Sequence, residues 1–162
     1  MDIHISKILL VACSILLGGL IGLEREFADK PAGLRTHMLV AGASTLLVIL
    51  GDFMIRQYSG SPMVDAVMAD PIRIMEAIIT GISFLGAGTI IFRNREESVE
   101  GLTTAASILF AAAIGITVAL EQIEMAAVLT LLVILILLGL GLVERRITRF
   151  RDRRQDANPN QR

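Results

Sequence analysis

Tryptophan is absent from this 162-residue chain, and Tyr58 is its only tyrosine. The aromatic belt that anchors most membrane proteins at their interfaces is therefore nearly missing, and arginine must do most of that anchoring. A single cysteine, Cys13, excludes an internal disulfide and offers no thiolate metal cluster. Charged residues make up 19% of the chain and leave a net charge of −1, so no global field favours nucleic acid. There is no P-loop, no aspartyl-phosphate motif and no soluble domain to hold a nucleotide. An enzyme, or ATP-driven transport by this chain alone, is therefore not expected. His4 and Cys13 carry no evident chemistry.

What is present in quantity is apolar sequence. Apolar residues make up 54% of the chain and the mean hydropathy is +0.68, outside the range of a soluble domain of this length. Five runs read as helices able to cross ~30 Å of hydrocarbon: Ile5–Leu23, Leu34–Met54, Ile74–Phe92, Leu102–Leu120 and Met125–Val143. The second is the weakest, because its uncharged stretch between His37 and Asp52 is short. The expected fold is an all-α polytopic bundle of five transmembrane helices over residues 1–143, with a short basic tail over 144–162. Ser59-Gly60-Ser61-Pro62 marks the long link between helices two and three as an exposed loop or short surface helix. Leu10-Val11-Ala12-Cys13 resembles a lipoprotein cleavage box. Too few apolar residues separate Lys7 from it for a signal core, so the first helix is expected to be retained.

Lys7, Arg56 and Arg73 fall on one side of this layout, and the other twelve of the 15 basic residues fall on the opposite side. Basic residues collect in the cytoplasm, which puts the N-terminus out and the C-terminus in. An internal echo accompanies the layout. Gly18–Thr36 and Phe84–Thr104 each run from a glycine-rich helix end, through a charged loop, into a Gly-Leu-x-Thr helix start. Helices one and three would then point the same way, as in parallel repeats.

Small and polar residues concentrate at the segment ends and on single helix faces. In helix three, Arg73, Glu76, Thr80, Ser83 and Ala87 recur at spacings of three and four and share one face. A carboxylate well inside hydrocarbon costs ~2.5–3.5 kcal/mol on insertion scales, so the stripe should face the bundle interior or a wet cavity. Glu76 is then a proton- or cation-binding group, with Thr80 and Ser83 as neutral oxygen ligands. The alternative is an interfacial Glu76 paired at i,i+3 with Arg73. Ser14, Gly18 and Gly22 in helix one, Gly81, Gly86 and Gly88 in helix three, and Thr104, Ser107, Ala111 and Gly115 in helix four read as close-packing faces. Helix five, Leu131–Leu138 above all, is bulky and aliphatic and should lie at the bundle edge facing lipid.

Glu24, Arg25, Glu26 and Asp29 face Arg35 and His37 across a short loop. They read either as an acid–base cluster at an inner mouth or as a belt of local ion pairs. Asp52, Asp65 and Asp70 supply carboxylates of the kind Mg²⁺ prefers. Asp70 before Pro71 is also a good helix start, with Asp as cap and Pro at the first position. The basic run Arg145–Arg154 is expected to hold anionic lipid, at ~1 kcal/mol per residue near the surface.

In order and spacing, GGLIGLERE (Gly18–Glu26), KPAGLRTH (Lys30–His37), DPIR (Asp70–Arg73), GISFLGAG (Gly81–Gly88) and GLTTAA (Gly101–Ala106) resemble the membrane domain of the MgtC/SapB family of bacteria. The likeness runs from about Gly18 to Gly115. Ser83 stands where the family pattern has glycine. The family's cytoplasmic ACT-like domain has no counterpart in these residues, so the resemblance covers the membrane part alone. It implies a multi-pass inner-membrane protein linked to low-Mg²⁺ adaptation and to virulence. It further implies a regulator of the F-type ATP synthase rather than a pump. The motif positions it carries over are Gly22, Glu24, Arg25, Gly33, Arg35, Thr36, His37, Asp70, Arg73, Gly81, Gly86, Gly88, Gly101, Thr103 and Thr104, none with a catalytic role.

Two readings of function follow. One is a non-enzymatic regulator that acts by helix–helix contact with another membrane complex. The other is a small Mg²⁺ or proton carrier using the helix-three stripe. Five short helices could barely enclose a pore, so the carrier reading calls for a homo-oligomer. No cofactor is expected beyond Mg²⁺ itself as ligand or cargo.

Overall fold

The computed structural model describes residues 2–58, 71–91 and 98–156. They form five helices: α1 (Asp2–Phe27), α2 (Leu34–Tyr58), α3 (Pro71–Ile91), α4 (Ser98–Ala119) and α5 (Ile123–Asp156). The first four contain stretches long and apolar enough to cross a membrane: Ile5–Phe27, Leu34–Gln57, Pro71–Ile91 and Gly101–Ala119. The apolar part of α5, Ile123–Gly139, is shorter and leads into its basic end. The all-α, five-helix architecture is as expected. α2 is longer than its span in the sequence suggests, and Arg56 Nε donates to Asp52 Oδ2 at 2.9 Å near its C-terminal end. α3 starts at Pro71 as the cap signal predicts; Asp70, like Asp65, Arg93 and Arg95, lies outside the described residues.

The turn between α1 and α2 is built from backbone and one carboxylate. Asp29 adopts the left-handed conformation at φ 53°, and the N–H of Lys30 reaches back to the carbonyl of Arg25 at 3.0 Å. This pattern of bonds ends a helix cleanly. Gly33 has no side-chain oxygen with which to cap α2. The Oε2 of Glu26 accepts the Leu34 N–H instead, at 3.0 Å. A Cβ at Gly33 would collide with that same carboxylate. The α4–α5 turn repeats the device, with Glu121 at φ 64° and Gln122 N–H bonded to Thr117 O.

α4 is the central helix, packed against α1, α2, α3 and α5. Ile108, Ala111, Ala112 and Ile116 meet Val40 and Ile78 on one flank, while Ile114 and Val118 meet Ile21, Ala126 and Val133 on the other. Small residues set the spacing. A Cβ at Gly18 would lie 2.7 Å from the Cβ of Ala41, one at Gly22 would lie 2.7 Å from Leu34 Cα, and one at Gly115 would strike the Ala41 carbonyl. In lipid, where no hydrophobic effect drives helices together, such backbone-distance packing supplies the dispersion energy. Ser14, Gly18, Gly22, Ser107 and Gly115 are buried at these contacts, and a Cβ at Gly86 would lie 3.2 Å from the Ala105 methyl. Gly81 and Gly88 are not: a Cβ at either would meet nothing within 4 Å. The sequence could place them on α3 but could not show that they stand clear of the other helices of this chain.

The internal echo has a structural counterpart. Gly18 packs on His37, and at the same offset along the chain Gly86 packs on Ala105. Gly22 approaches Gly33 and Leu34, and Gly101 approaches Ile90. Helix five meets α1 and α4 on one side only and leaves Leu131, Leu132, Leu135, Ile136 and Leu138 exposed, as its composition predicts.

Candidate functional site

One buried polar centre lies where α1, α2 and α4 converge near the α1–α2 turn. His37, in the first turn of α2, is fully buried. Its Nδ1 lies 2.9 Å from the Gly33 carbonyl, which can only accept, so Nδ1 carries a proton. Its Nε2 lies 3.0 Å from Ser107 Oγ on α4. The Ser107 hydroxyl also lies 2.8 Å from the Thr104 carbonyl. Ser107 has one hydrogen and two acceptors compete for it, so a neutral His37 leaves one contact without a proton. An imidazolium fills all three.

Arg25, 4% exposed, stands close enough for its charge to act on His37, as does that of Glu24. Arg25 binds Glu24 through two parallel bonds, Nη2 to Oε1 at 2.8 Å and Nε to Oε2. A fork-to-carboxylate pair of this kind satisfies both charges where water is scarce. Of Glu24, Arg25, Arg35 and His37, the structure brings the first two and His37 together near the α1–α2 turn. Arg35 is exposed. Thr104 is buried beside Ser107, whereas Thr103 is exposed. Ser107, read from the sequence only as a packing residue, is the partner that completes the centre. Its spacing of three from Thr104, on the face that carries Ala111 and Gly115, was the available signal.

The helix-three stripe is where expectation and structure part. Arg73, Glu76, Thr80, Ser83 and Ala87 do share a face, but all five are exposed on the outside of the bundle. The reason is competition between faces. Ile74, Ile78, Ile82 and Gly86 form the other side of α3, and that side packs on α2 and α4. The alternative i,i+3 pair is not formed either: among the described residues Arg73 and Glu76 have no ion-pair partner. Thr80 turns its hydroxyl back onto the Glu76 carbonyl at 2.7 Å. Among the described residues no three His, Cys, Asp or Glu side chains are grouped to hold a metal ion. Asp52 is engaged by Arg56.

With fold and centre in hand, comparison with known proteins decides the family. The family model described as MgtC matches residues 11–146 and so takes in all five motifs. The chain belongs to the MgtC family. It is 40% identical over 119 residues to the protein named putative magnesium transporter YhiD of Escherichia coli K12, covering 72% of this chain and 53% of that protein. It is 38% identical over 109 residues to protein SapB of Bacillus subtilis, covering 67% of this chain and 45% of that one. It is 40% identical over 124 residues to protein MgtC of Brucella abortus, covering 76% and 47%. The chain spans about half the length of these curated relatives. No solved structure matches. Family and helices together make this a multi-pass protein of the bacterial inner membrane.

Proposed function

We propose that this MgtC-family protein is a non-enzymatic membrane regulator in low-magnesium adaptation, and that it works by presenting the outward face of α3 to another membrane chain. The observation that carries the reading is the polar stripe of α3, turned away from its own bundle at bilayer depth. Polar side chains in that position are costly in lipid and favourable against another helix. The core behind it is locked by backbone-distance contacts and by the Thr45 hydroxyl bonded to the Gly115 carbonyl at 2.7 Å. The resemblance makes the F-type ATP synthase the first regulated complex to test. Photo-cross-linking from position 83 in cells shifted to low Mg²⁺ is expected to capture a membrane protein, while position 131 on α5 captures none. Equal capture from both positions would sink the reading.

A second reading is a Mg²⁺ or proton carrier, favoured by the printed name of the Escherichia coli relative. Its test is flux in proteoliposomes. Mg²⁺ or proton movement lost in Glu76→Gln would establish it; no movement from folded, inserted protein would end it.

A further inference from the structure

The outward side of α3 carries the marks of a surface made to be covered. Only 11% of the α3 span is buried inside the chain, against 56% for α4. Glu76, Ser83 and Arg73 are exposed there, and none has a side-chain partner among the described residues. Phe84 projects with 84% of its surface exposed. Beside this face a groove of ≈ 380 Å³ runs between α2 and α3, lined by Val40, Ala43, Ser44, Ala77 and Gly81 among others. Ser44 is an independent mark. It lines the groove and is only 2% exposed, yet its hydroxyl has no hydrogen-bond partner among the described residues. A buried hydroxyl left unpaired is costly, and most are not left so.

The arrangement of these parts is self-complementary. At about 100° per residue, Arg73, Ala77 and Phe84 lie along one line of α3. Glu76, Thr80, Ser83 and Ala87 lie to one side of that line, and Gly81, Gly88 and the groove lie to the other. Two copies in one membrane point the same way. A two-fold axis along the membrane normal, placed on that line, turns the stripe of each copy onto the groove of the other. We propose that the outward face of α3 and the α2–α3 groove form a homodimer interface, with Glu76 of each copy paired to Arg73 of the second and Ser83 of each meeting Ser44 of the second. The proposal rests on the reading of α3 as a contact surface and names its occupant. A foreign helix would have to supply an acid, a base and a hydroxyl at three matching depths. A second copy supplies all three by symmetry. The pair, not the single chain, is then what a regulated complex meets.

The test uses the full chain in its own membrane, with Cys13→Ser as background. Phe84→Cys is expected to cross-link copy to copy, and Leu131→Cys on the outer face of α5 is not. Differently tagged copies both carrying Arg73→Glu, or both carrying Glu76→Arg, should co-purify about tenfold less than wild type, the effect of a ~1.4-unit change in binding free energy in kcal/mol. One copy of each kind, expressed together, should pair again, because every acid then faces a base. That rescue also shows that both variants fold. Phe84→Cys joined to a different polypeptide and never to a copy would overturn the dimer and leave the contact-surface reading standing. No adduct from Phe84→Cys in correctly inserted protein would overturn both.

Discussion

At the scale of single residues, the centre at His37 offers the sharpest expectation. His37 and Ser107 are both buried and bonded to each other, so Ser107→Ala strands the imidazole Nε2, while His37→Ala empties a buried site and leaves the Ser107 hydroxyl only the Thr104 carbonyl. A buried polar group left without its partner costs about 1–3 kcal/mol. His37→Ala and Ser107→Ala should each lower stability on that scale, and the double variant should cost less than their sum. Measured interhelical couplings in membranes average about 0.6 kcal/mol with a maximum near 1.7, which sets the expected size of the shortfall. Unfolding in mixed detergent micelles reads it, and strict additivity would mean that the 3.0 Å contact carries no energy. Gly115 is the packing counterpart. Gly115→Val would drive a side chain into the Ala41 carbonyl and the Ser44 Cβ, and overpacking of this kind typically costs 1–3 kcal/mol. Gly88→Ala, with open space at its Cβ, is expected to leave the stability of the single chain unchanged.

At the scale of elements, the two tight turns hold both strain and a pH-sensitive contact. Asp29 occupies a left-handed conformation that costs a non-glycine residue roughly 1 kcal/mol, and its side chain is exposed. Asp29→Gly should therefore raise thermal stability by about that amount, and a fall would mean that the carboxylate has a role of its own. In the other turn, Lys7 Nζ donates to Glu121 Oε1 at 2.9 Å and joins the start of α1 to the α4–α5 turn. The hydrogen bond and charge of Lys7 hold the Glu121 carboxyl below its ordinary value. A depressed carboxyl stabilises the fold above its unfolded pKa and loses that contribution as pH falls through the folded one. The stability difference between wild type and Glu121→Gln should thus be present at neutral pH and be lost progressively as pH falls below the ordinary glutamate value of ~4.3, small throughout because the carboxylate is exposed. These turns also show what was legible beforehand. Five apolar runs, the Pro71 start and the lipid-facing aliphatics of α5 follow from composition and period alone. The cap from Glu26 to Leu34 and the pairing of Ser107 with His37 do not, since each depends on how two helices meet. The stripe of α3 lay between these cases. Its spacing proved one shared face, but a polar face turned inward and one turned toward a second chain have the same spacing.

At the scale of the whole molecule, orientation ties these parts to the cell. The Lys7–Glu121 contact puts the N-terminal end of α1 and the α4–α5 turn at one end of the bundle. The α1–α2 turn, with Asp29 and Lys30, lies at the other end, a full helix length away. Arg25, Lys30 and Arg35 lie at or near the Asp29 end, the sequence after the fifth span is basic, and basic segments are retained in the cytoplasm. The buried centre of His37, Ser107 and Arg25 would then lie toward the cytoplasmic side, while Glu76 and Arg73 would lie near the outer surface. In a Cys13→Ser background, Glu121→Cys is expected to react with a membrane-impermeant maleimide added to whole cells, and Asp29→Cys only after the membrane is opened. The reverse pattern would invert the bundle. The His37 end of the bundle would then face the outside. Any account of how the α3 face and the His37 centre influence each other has to start from that result, because the two are displaced toward opposite ends of the same span.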